Sequence, residues 1–380
     1  MPKRDFQLLL DALSAEHRVV GPRVADGAVV YGDVAKVADL PIGWIDEQDG
    51  GHYRLRQAEE AGWFDHVVGP HSLKQFLFPP RETLATFSRD AQDGGWRQAA
   101  PSPPPQPLAV IGARACDLAA LAVQDRVFLG GEHVDPAYRQ RRERLFLVAV
   151  NCRRAVATCF CHSMGSGPAV SAGFDLALTE EADRFACRVG TARGRSILEA
   201  VAAATGGPLA ACTAAEVMAV GRVSEDLEAR MHARTAEPGA ARPRSLETEG
   251  IRDLLFDNLE HPRWDEVATR CLSCTNCTLV CPTCFCASVQ EVADLTGDHV
   301  ERERRWASCF SLDHSRMHGS SVRGTVASRY RQWLTHKLAG WIDQFGTSGC
   351  TGCGRCITWC PVGIDLTEEV AAIRGGSAAP

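Results

Sequence analysis

Cysteine spacing is the feature that constrains this chain most strongly. The chain has 380 residues, 17 of them cysteine, and one pattern, C-x2-C-x2-C-x3-C followed by proline, occurs in it twice. In bacterial ferredoxins this spacing binds [4Fe–4S] clusters: three thiolates hold one cluster, and the fourth, which precedes proline, ligates the other cluster. The two copies consist of Cys271, Cys274, Cys277 and Cys281, and of Cys350, Cys353, Cys356 and Cys360.

The two runs predict two [4Fe–4S] clusters with crossed ligands. Crossing requires the runs to lie antiparallel and close together. A zinc ribbon fits less well, because it presents two separated C-x2-C knuckles and not three cysteines in consecutive tight turns. We define set 1 as Cys271, Cys274, Cys277 and Cys360, and set 2 as Cys350, Cys353, Cys356 and Cys281.

The segment between the two runs is too long for a compact ferredoxin loop. It comprises 68 residues, from 282 to 349. The spacing of its apolar residues predicts two helices, over 285–295 and 322–342. We therefore expect a helical two-cluster domain and not the small βαβ ferredoxin.

A second concentration of cysteines follows two predicted strands. The apolar runs Leu108–Gly112 and Leu145–Val150 are typical of buried parallel strands in a βαβ unit, with a helix over 117–124 between them. The carboxyl ends of such strands are where α/β sheets place their sites. Four thiols there could bind a third [4Fe–4S] cluster, or they could be small buried apolar side chains. We define them as set 3: Cys116, Cys152, Cys159 and Cys161.

Five cysteines remain outside the three sets. Cys284, Cys286 and Cys309 are expected to pack against the neighbouring cluster, with additional ligation or redox-active thiols as the alternative. Cys187 and Cys212 stand alone in the sequence and are expected in the core.

Charged and imidazole side chains near the first run are expected in solvent. His314 and His318 lie in a polar segment, and residues 301–305 (ERERR) mix both signs of charge. Such a run is typical of a solvated face, and docking of an acidic partner is the alternative.

The whole pattern predicts an α+β protein. We expect an N-terminal mixed α/β region followed by an α-helical, ferredoxin-like two-cluster domain. Four parts are predicted: a mixed α/β module over 1–100, an α/β module carrying set 3 over 108–210, a helical connector over 211–260, and the helical dicluster domain over 261–374.

Local signals add detail to these parts. A helix is predicted over 5–17, and a capping box from Thr213 to Glu216 opens a helix that reaches Ala233. Further strands are predicted at 19–24, 28–31, 174–178 and 185–189. Linkers are predicted at 101–107 and 235–245, and a frayed tail at 375–380.

Composition excludes several classes of protein. The net charge is −6, so there is no basic field for nucleic acid. No stretch approaches the roughly 20 apolar residues needed to span a bilayer, and the N-terminal leucine run is too short for a signal peptide. We expect a cytoplasmic chain with no membrane or nucleic-acid partner, where dense cysteines indicate metal or redox chemistry.

No motif for group-transfer chemistry is present in the sequence. There is no glycine-rich dinucleotide loop after a strand, no P-loop and no nucleophile elbow. No catalytic residue and no cofactor site beyond the clusters are therefore predicted. We expect an electron-transfer subunit that is not catalytic alone.

The motifs also resemble a known family in an ordered series. The chain resembles the beta subunits of cytoplasmic nickel–iron sulfhydrogenases, which are NAD(P)-linked hydrogenases, and the related iron–sulfur subunit of anaerobic sulfite reductase. The resemblance rests on GARACDLAAL (112–121), NCRRAVATCFC (151–161), GFDLAL (173–178), HPRWDE (261–266), CLSCTNCTLVCPTCFC (271–286), RERRWASC (302–309) and GCTGCGRCITWCP (349–361).

The resemblance implies an iron–sulfur electron relay within a complex. Its partners would be an FAD- and NAD(P)-binding subunit and nickel–iron hydrogenase subunits, and the resemblance supports a count of three clusters. In the sulfite reductase branch a sirohaem subunit replaces the nickel–iron pair, and the shared motifs leave this alternative open. An iron–sulfur redox sensor and a thiol enzyme are the alternatives from other classes.

Overall fold

The structure, a computed structural model, describes residues 1–100, 105–234 and 244–376. The predicted linkers at 101–107 and 235–245 and the predicted tail at 375–380 lie partly outside these ranges. The strands are β1 (Arg18–Ala25), β2 (Ala28–Asp33), β3 (Trp44–Asp49), β4 (His52–Gln57), β5 (Arg81–Arg89), β6 (Trp96–Gln98), β7 (Leu108–Ala113), β8 (Leu145–Val150), β9 (Leu176–Glu180), β10 (Phe185–Val189), β11 (Ala287–Ala293), β12 (His299–Trp306), β13 (Arg316–Met317) and β14 (Ser320–Ser321).

The described chain also contains thirteen α-helices. A π-helical turn, His336–Gly340, joins the tenth and eleventh helices. The α-helices are α1 (Phe6–Ser14), α2 (Lys74–Leu77), α3 (Ala115–Phe128), α4 (Pro136–Glu143), α5 (Ala192–Ala204), α6 (Ala214–Ala233), α7 (Ile251–Asp257), α8 (Arg263–Arg270), α9 (Asn276–Leu279), α10 (Val326–Thr335), α11 (Trp341–Phe345), α12 (Arg355–Thr358) and α13 (Leu366–Gly376).

A six-stranded sheet forms the centre of the N-terminal part. Its strand order is β10-β9-β8-β7-β1-β2, with β1, β7, β8 and β9 parallel and antiparallel strands at both edges. Strand β8 is buried at every position, as a central parallel strand with two covered faces should be. The predicted parallel pair is confirmed, with Leu108 opposite Leu145.

Helices cover both faces of this sheet. On one face α1 and α5 pack through Leu9, Leu13 and Val201, and on the other face α3 and α4 pack through Leu121 and Tyr138. The three layers bury the apolar runs of the strands. The cysteines of set 3 lie in the segments that follow β7 and β8 at the carboxyl edge of the sheet.

A second sheet joins the N-terminal part to the segment between the cysteine runs. Its order is β11-β12-β5-β6, and every pair in it is antiparallel. The helix predicted over 285–295 is therefore wrong, because β11 lies there. Strand β12 pairs with β5, with Glu303 opposite Thr83, and the Glu303 side chain also meets that of Arg81, 222 positions away. Local spacing carries no information about so distant a partner.

The run 301–305 is not the wholly solvated face that was predicted. It lies on β12, and Glu303 is fully buried. The carboxylate of Glu303 accepts hydrogen bonds of 2.8 Å from Nε of Arg81 and 2.8 Å from Nε of Arg305. Arg304 forms ion pairs with Glu82 and Asp135. The mixed charges thus hold the second sheet together.

The C-terminal part is helical around its own core. Leu255, Trp264, Leu334 and Ile373, from α7, α8, α10 and α13, belong to that core. The helix predicted over 322–342 begins at Val326 and continues through the π turn and α11. Since β11 to β14 also lie here, the dicluster domain that was predicted as α-helical is helical only in part.

The predicted helix starts and strand positions agree with the structure in part. The capping box is confirmed, because the Thr213 hydroxyl accepts from the Glu216 amide at the start of α6. The helix predicted over 5–17 ends earlier, at Ser14, and the strand predicted at 174–178 lies at Leu176–Glu180. In the described chain no helix is both long and apolar enough to cross a bilayer.

Replacing Gly354 by alanine tests how the second cysteine run docks on the N-terminal part. Gly354 has a φ of 76°, and a Cβ there would lie 2.4 Å from the Thr158 carbonyl oxygen. We expect Gly354→Ala to lower the free energy of unfolding by about 1–3 kcal/mol beyond its matched control, measured by anaerobic urea denaturation. The control is Gly297→Ala, whose φ is 75° but whose added Cβ meets nothing within 4 Å. Equal losses in the two variants would contradict this docking.

Candidate metal centres

The four cysteines of set 1 line a single cavity. It is partly open to solvent, and the empty space in and around its mouth amounts to about 430 Å³. Cys274 is exposed, whereas Cys271, Cys277 and Cys360 are half-buried. The other lining residues are mostly apolar or aromatic, and they are Leu272, Ser273, Thr275, Phe310, Tyr330, Trp333, Cys356, Pro361, Val362 and Ile364. The crossed fourth cysteine, Cys360, therefore lies with the first run, as the ligand crossing requires.

Tight turns and short helices position these thiols. Cys271 follows α8 directly and Cys277 lies on α9. Between them Ser273 and Thr275 adopt φ values of 51° and 71°, a left-handed conformation that folds the three cysteines around one point. The crowding has an electrostatic cost, since burial and the neighbouring cysteines raise the pKa of Cys277. Iron bound to the thiolate would offset that cost.

Backbone amides also point at the cysteine sulfurs. Hydrogen bonds of this kind stabilise thiolates and help to set the reduction potential of a cluster. They run from Ser273 N to Cys271 Sγ at 3.4 Å, from Gly352 N to Cys350 Sγ at 3.4 Å, and from Ile364 N to Cys360 Sγ at 3.3 Å.

Set 2 also comes together. Burial and the proximity of Cys350, Cys353 and Cys281 raise the pKa of Cys356 on α12. Burial likewise raises the pKa of Cys350 to about 12, although the Lys337 charge opposes it. The fourth cysteine of the first run thus lies beside the second run.

A buried lysine that the sequence patterns did not reveal contacts a cysteine of set 2. Lys337 is 4% exposed, and its Nζ lies 3.3 Å from Cys281 Sγ, 3.2 Å from Thr283 Oγ1 and 3.1 Å from the Gly349 carbonyl oxygen. A hydrogen bond from Cys284 and the Lys337 charge lower the pKa of Cys281 in spite of its burial. Lys337 lies on the π turn, a distortion often found at functional sites.

The members of set 3 converge as well. Cys116, Cys159 and Cys161 are buried in one cluster, and Cys152 packs against it. Burial raises the pKa of Cys159 to about 12, with Cys152 contributing. Burial also raises the pKa of Cys161, with Cys159 and Cys152 contributing. Four thiols therefore meet at the carboxyl edge of the sheet.

One cysteine of set 2 also packs against set 3. Cys353 belongs to the same cluster of side chains as Cys116, Cys159 and Cys161. The loops that carry the two sets are joined by hydrogen bonds, from Phe160 N to Gly352 O at 2.9 Å, between Thr158 Oγ1 and Thr358 Oγ1 at 2.9 Å, and from Ser166 Oγ to Thr351 O at 2.7 Å. The thiol of Cys353 thus lies between set 2 and set 3.

A fully buried arginine, also missed from sequence, lies at this junction. Arg355 Nη2 donates to Asp117 Oδ1 at 2.8 Å and its Nε donates to the Gly69 carbonyl oxygen at 3.0 Å. Its Nη1 is buried without a partner among the described residues. The sequence does show a charged residue directly beside a cysteine in both places, Asp117 after Cys116 and Arg355 before Cys356. Only the fold reveals that the two charges pair.

The three remaining thiols of this region form a group beside the ferredoxin runs. Cys284 contacts Cys281, and Cys286 contacts Cys309. His314 is exposed, as predicted, and its ring lies beside Cys286. Cys284, Cys286 and Cys309 are all partly buried.

The two solitary cysteines differ from one another. Cys187 is half-buried and packs against the core under the six-stranded sheet, as expected. Cys212 is exposed, so its predicted place in the core is wrong. It lies in the loop before α6, outside every core cluster.

The chemistry of sets 1 and 2 fits iron–sulfur clusters better than single metal ions. No three His, Cys, Asp or Glu side chains of the described ranges surround one point closely enough to hold a single ion. In a cubane each thiolate binds a different iron, so its ligands need more space. The lined cavity, the N–H···S hydrogen bonds and the buried cation Lys337 all suit a negatively charged cluster with four thiolates.

Comparison with known proteins agrees with this chemistry. The 4Fe-4S dicluster domain family matches residues 270–364. Sulfhydrogenase 2 subunit beta of Pyrococcus furiosus is 30% identical to this chain over 317 residues, which cover 80% of this chain and 83% of the relative. No solved structure matches the chain.

The ion pair at the junction can be tested by removing its negative charge. Asp117→Asn leaves the Arg355 guanidinium buried without its carboxylate, and we expect a loss of about 3–5 kcal/mol in the free energy of unfolding. The matched control is Asp33→Asn, which breaks the exposed pair with Arg18 at 2.6 Å. It should cost less than about 1 kcal/mol. Comparable losses in anaerobic urea titrations of the two variants would refute a structural role for the buried pair.

Proposed function

This chain belongs to the family of sulfhydrogenase beta subunits, and from that membership we propose that it relays electrons between a flavin- and NAD(P)-binding subunit and a nickel–iron hydrogenase module. It is an iron–sulfur electron-transfer subunit of an oxidoreductase, and residues 270–364 form its 4Fe-4S dicluster domain. The two partner subunits follow from the resemblance of the motifs, and they complete a hetero-oligomer in which this chain carries the electrons.

The contact between the three cysteine sets is the observation that carries this proposal. Sets 1 and 2 exchange their fourth cysteines, so their clusters would be neighbours in space. Cys353 would ligate the second cluster while packing against Cys116 and Cys161 of set 3. The clusters would therefore follow one another in the order set 1, set 2, set 3. Such a series of neighbouring clusters would act as a wire for electrons, that is, as a relay and not as a single redox centre.

One end of this wire lies at the surface. Cys274 is exposed, and three apolar neighbours are exposed with it, namely Leu272 at 64%, Leu279 at 38% and Val362 at 39%. Exposed apolar side chains grouped around a redox centre support the docking of a partner there. Set 3, in which Cys116, Cys159 and Cys161 are buried and Cys152 is half-buried, forms the other end.

Set 3 would hold a third [4Fe–4S] cluster. The convergence of four thiols and the charge of the Arg355 guanidinium support this assignment over four unrelated buried cysteines. The guanidinium is paired with the Asp117 carboxylate through Nη2, while its Nη1 is buried without a hydrogen-bond partner among the described residues. Leaving a buried donor unsatisfied is costly, and iron-bound thiolates at Cys116 and Cys353, which lie close enough to act on Arg355, would offset that cost.

Iron analysis tests the number of clusters. The intact chain, purified and reconstituted anaerobically, should contain roughly 12 iron atoms, because each cubane holds four. The double variant Cys159→Ser/Cys161→Ser should fall to roughly 8, and Cys212→Ser, which alters an exposed thiol outside every set, should stay at roughly 12. A value near 8 for the intact chain would refute the third cluster and leave sets 1 and 2 standing.

Purification with bound partners tests the function itself. A tagged chain, isolated anaerobically from its native cells, should bring with it a nickel–iron pair and a flavoprotein. Cys274→Ser should remove or distort the set 1 cluster and abolish electron flow between the flavoprotein and the nickel–iron pair, while Cys212→Ser should not. Recovery with a sirohaem protein would replace the proposal with sulfite reduction. Recovery of the cluster-bearing chain alone would favour a redox sensor.

A further inference from the structure

Two thiols outside the three cysteine sets face each other at the base of the β11–β12 hairpin. Cys286 immediately precedes β11, and Cys309 follows β12 by three residues. The antiparallel pairing extends to this point, since the Ala307 amide donates to the Cys286 carbonyl oxygen at 2.9 Å. The two thiols lie close enough together for each to shift the pKa of the other. The relay described above makes no use of either thiol.

Basic side chains surround this pair. The imidazoles of His314 and His336 both lie near enough to Cys286 to act on its pKa. Lys74 is buried, and its Nζ lies 3.9 Å from the ring centre of Trp306. Hydrogen bonds from Cys309 and from His314 lower the pKa of Cys286 to about 4 in spite of partial burial. The lowered pKa favours the thiolate of Cys286, and a thiolate is the nucleophilic form of cysteine.

The pair lies between solvent and the proposed clusters. Cys286 and Cys309 are partly exposed, whereas Cys281 of set 2 is buried. On the inner side Cys309 is close enough to Cys277 of set 1 to be affected by its charge, and Cys284 contacts Cys281. A small molecule can thus reach the pair from outside, while electrons can reach it from within.

We propose that Cys286 and Cys309 form a redox-active dithiol that reduces low-molecular-weight aliphatic disulfides with electrons supplied by the clusters. The proposal rests on the proposed function, because the relay is the source of those electrons. It adds a second place at which electrons leave the chain, and it assigns that exit a substrate class.

The chemistry balances as two exchanges followed by a reduction. The Cys286 thiolate attacks one sulfur of the disulfide RSSR, so that a mixed disulfide forms and one thiolate RS⁻ leaves. Cys309 then attacks the Cys286 sulfur, gives its proton to the second departing RS⁻, and closes a Cys286–Cys309 disulfide. Two reduced clusters each donate one electron to the Cys286–Cys309 disulfide. One proton from solvent restores the Cys309 thiol, and a second protonates the first RS⁻ that left. The net reaction is RSSR + 2e⁻ + 2H⁺ → 2 RSH.

The exchange step is tested with hydroxyethyl disulfide on the anaerobically purified full chain. One equivalent should produce a Cys286–Cys309 cross-linked peptide in mass spectra, with the iron content unchanged. Cys309→Ser should stop at the mixed disulfide and carry one mercaptoethanol adduct on Cys286. Cys286→Ser should carry no adduct at either position. The matched control, Cys212→Ser, should cross-link like the unaltered chain.

The reduction step is tested by following the oxidation of reduced methyl viologen. We expect disulfide-dependent oxidation in the unaltered chain and in Cys212→Ser, and its loss in Cys286→Ser and Cys309→Ser. Absence of the cross-link would overturn the proposal, as would a cross-link that the clusters fail to reduce. A fall in iron content in Cys286→Ser or Cys309→Ser would overturn it too, because these residues would then be cluster ligands.

Failure of the relay itself gives a different result. If the chain bound no clusters, iron analysis would show it, while the exchange step with hydroxyethyl disulfide needs no iron and would still report on the dithiol. Loss of nickel–iron partners on purification would likewise leave both thiol measurements unaffected. The two hypotheses are therefore distinguishable.

Discussion

A fully buried ion pair between Arg355 and Asp117 holds the two halves of this protein together. Arg355 lies on α12 within the second cysteine run, and Asp117 lies on α3 directly after Cys116. Removing two charges from water is costly, and their attraction repays this only when the remaining hydrogen-bonding groups are also satisfied. The pair therefore requires the helix that bears Cys356 and the helix that bears Cys116 to meet in one register, and set 3 takes its place beside set 2 as a consequence.

The same electrostatic problem recurs at each group of thiols. Burial disfavours thiolates, which is why the pKa values of Cys116, Cys277 and Cys356 are raised. The fold places buried cations beside sets 2 and 3, Lys337 at the former and Arg355 at the junction. Set 1 is lined mostly by apolar and aromatic side chains, and the buried Arg329 contacts its lining at Ser273 Oγ, at 3.4 Å. Clusters with such different surroundings would differ in reduction potential, since charge and burial both shift it.

Much of the fold could be predicted from the sequence wherever short-range patterns decide it. The apolar run Leu145–Val150 forms a strand with the predicted bounds, and the capping box at Thr213 starts a helix that ends at Ala233 as predicted. The predictions failed where a distant segment decides the outcome. Residues 287–293 became a strand because β12 pairs with them and β5 in turn pairs with β12. Glu303 is buried because Arg81, from the other end of the chain, covers its carboxylate.

The residues of the candidate site fall into the same two groups, those that local sequence patterns predict and those that only distant contacts place. Ligand spacing is a local property, so sets 1 and 2 could be proposed from the cysteine runs, and set 3 from two strand ends that share an edge. The charges that serve these sets could not be found in this way. Lys337 reaches Cys281 across 56 residues, and Arg355 reaches Asp117 across 238.

The long segment between the two cysteine runs explains why these contacts exist. In a compact ferredoxin the two cysteine runs are close in sequence, so a short connection is enough to bring them together. Here residues 282–349 supply β11 and β12, which pair with β5, and also the π turn that carries Lys337. The first run is thereby tied to the N-terminal part of the chain through the pairing of β12 with β5, and the second run is tied to it through the ion pair of Arg355 with Asp117. Because metal binding contributes to folding free energy, clusters held in this way would stabilise the N-terminal and C-terminal parts together, and the relay and the fold would form one cooperative unit.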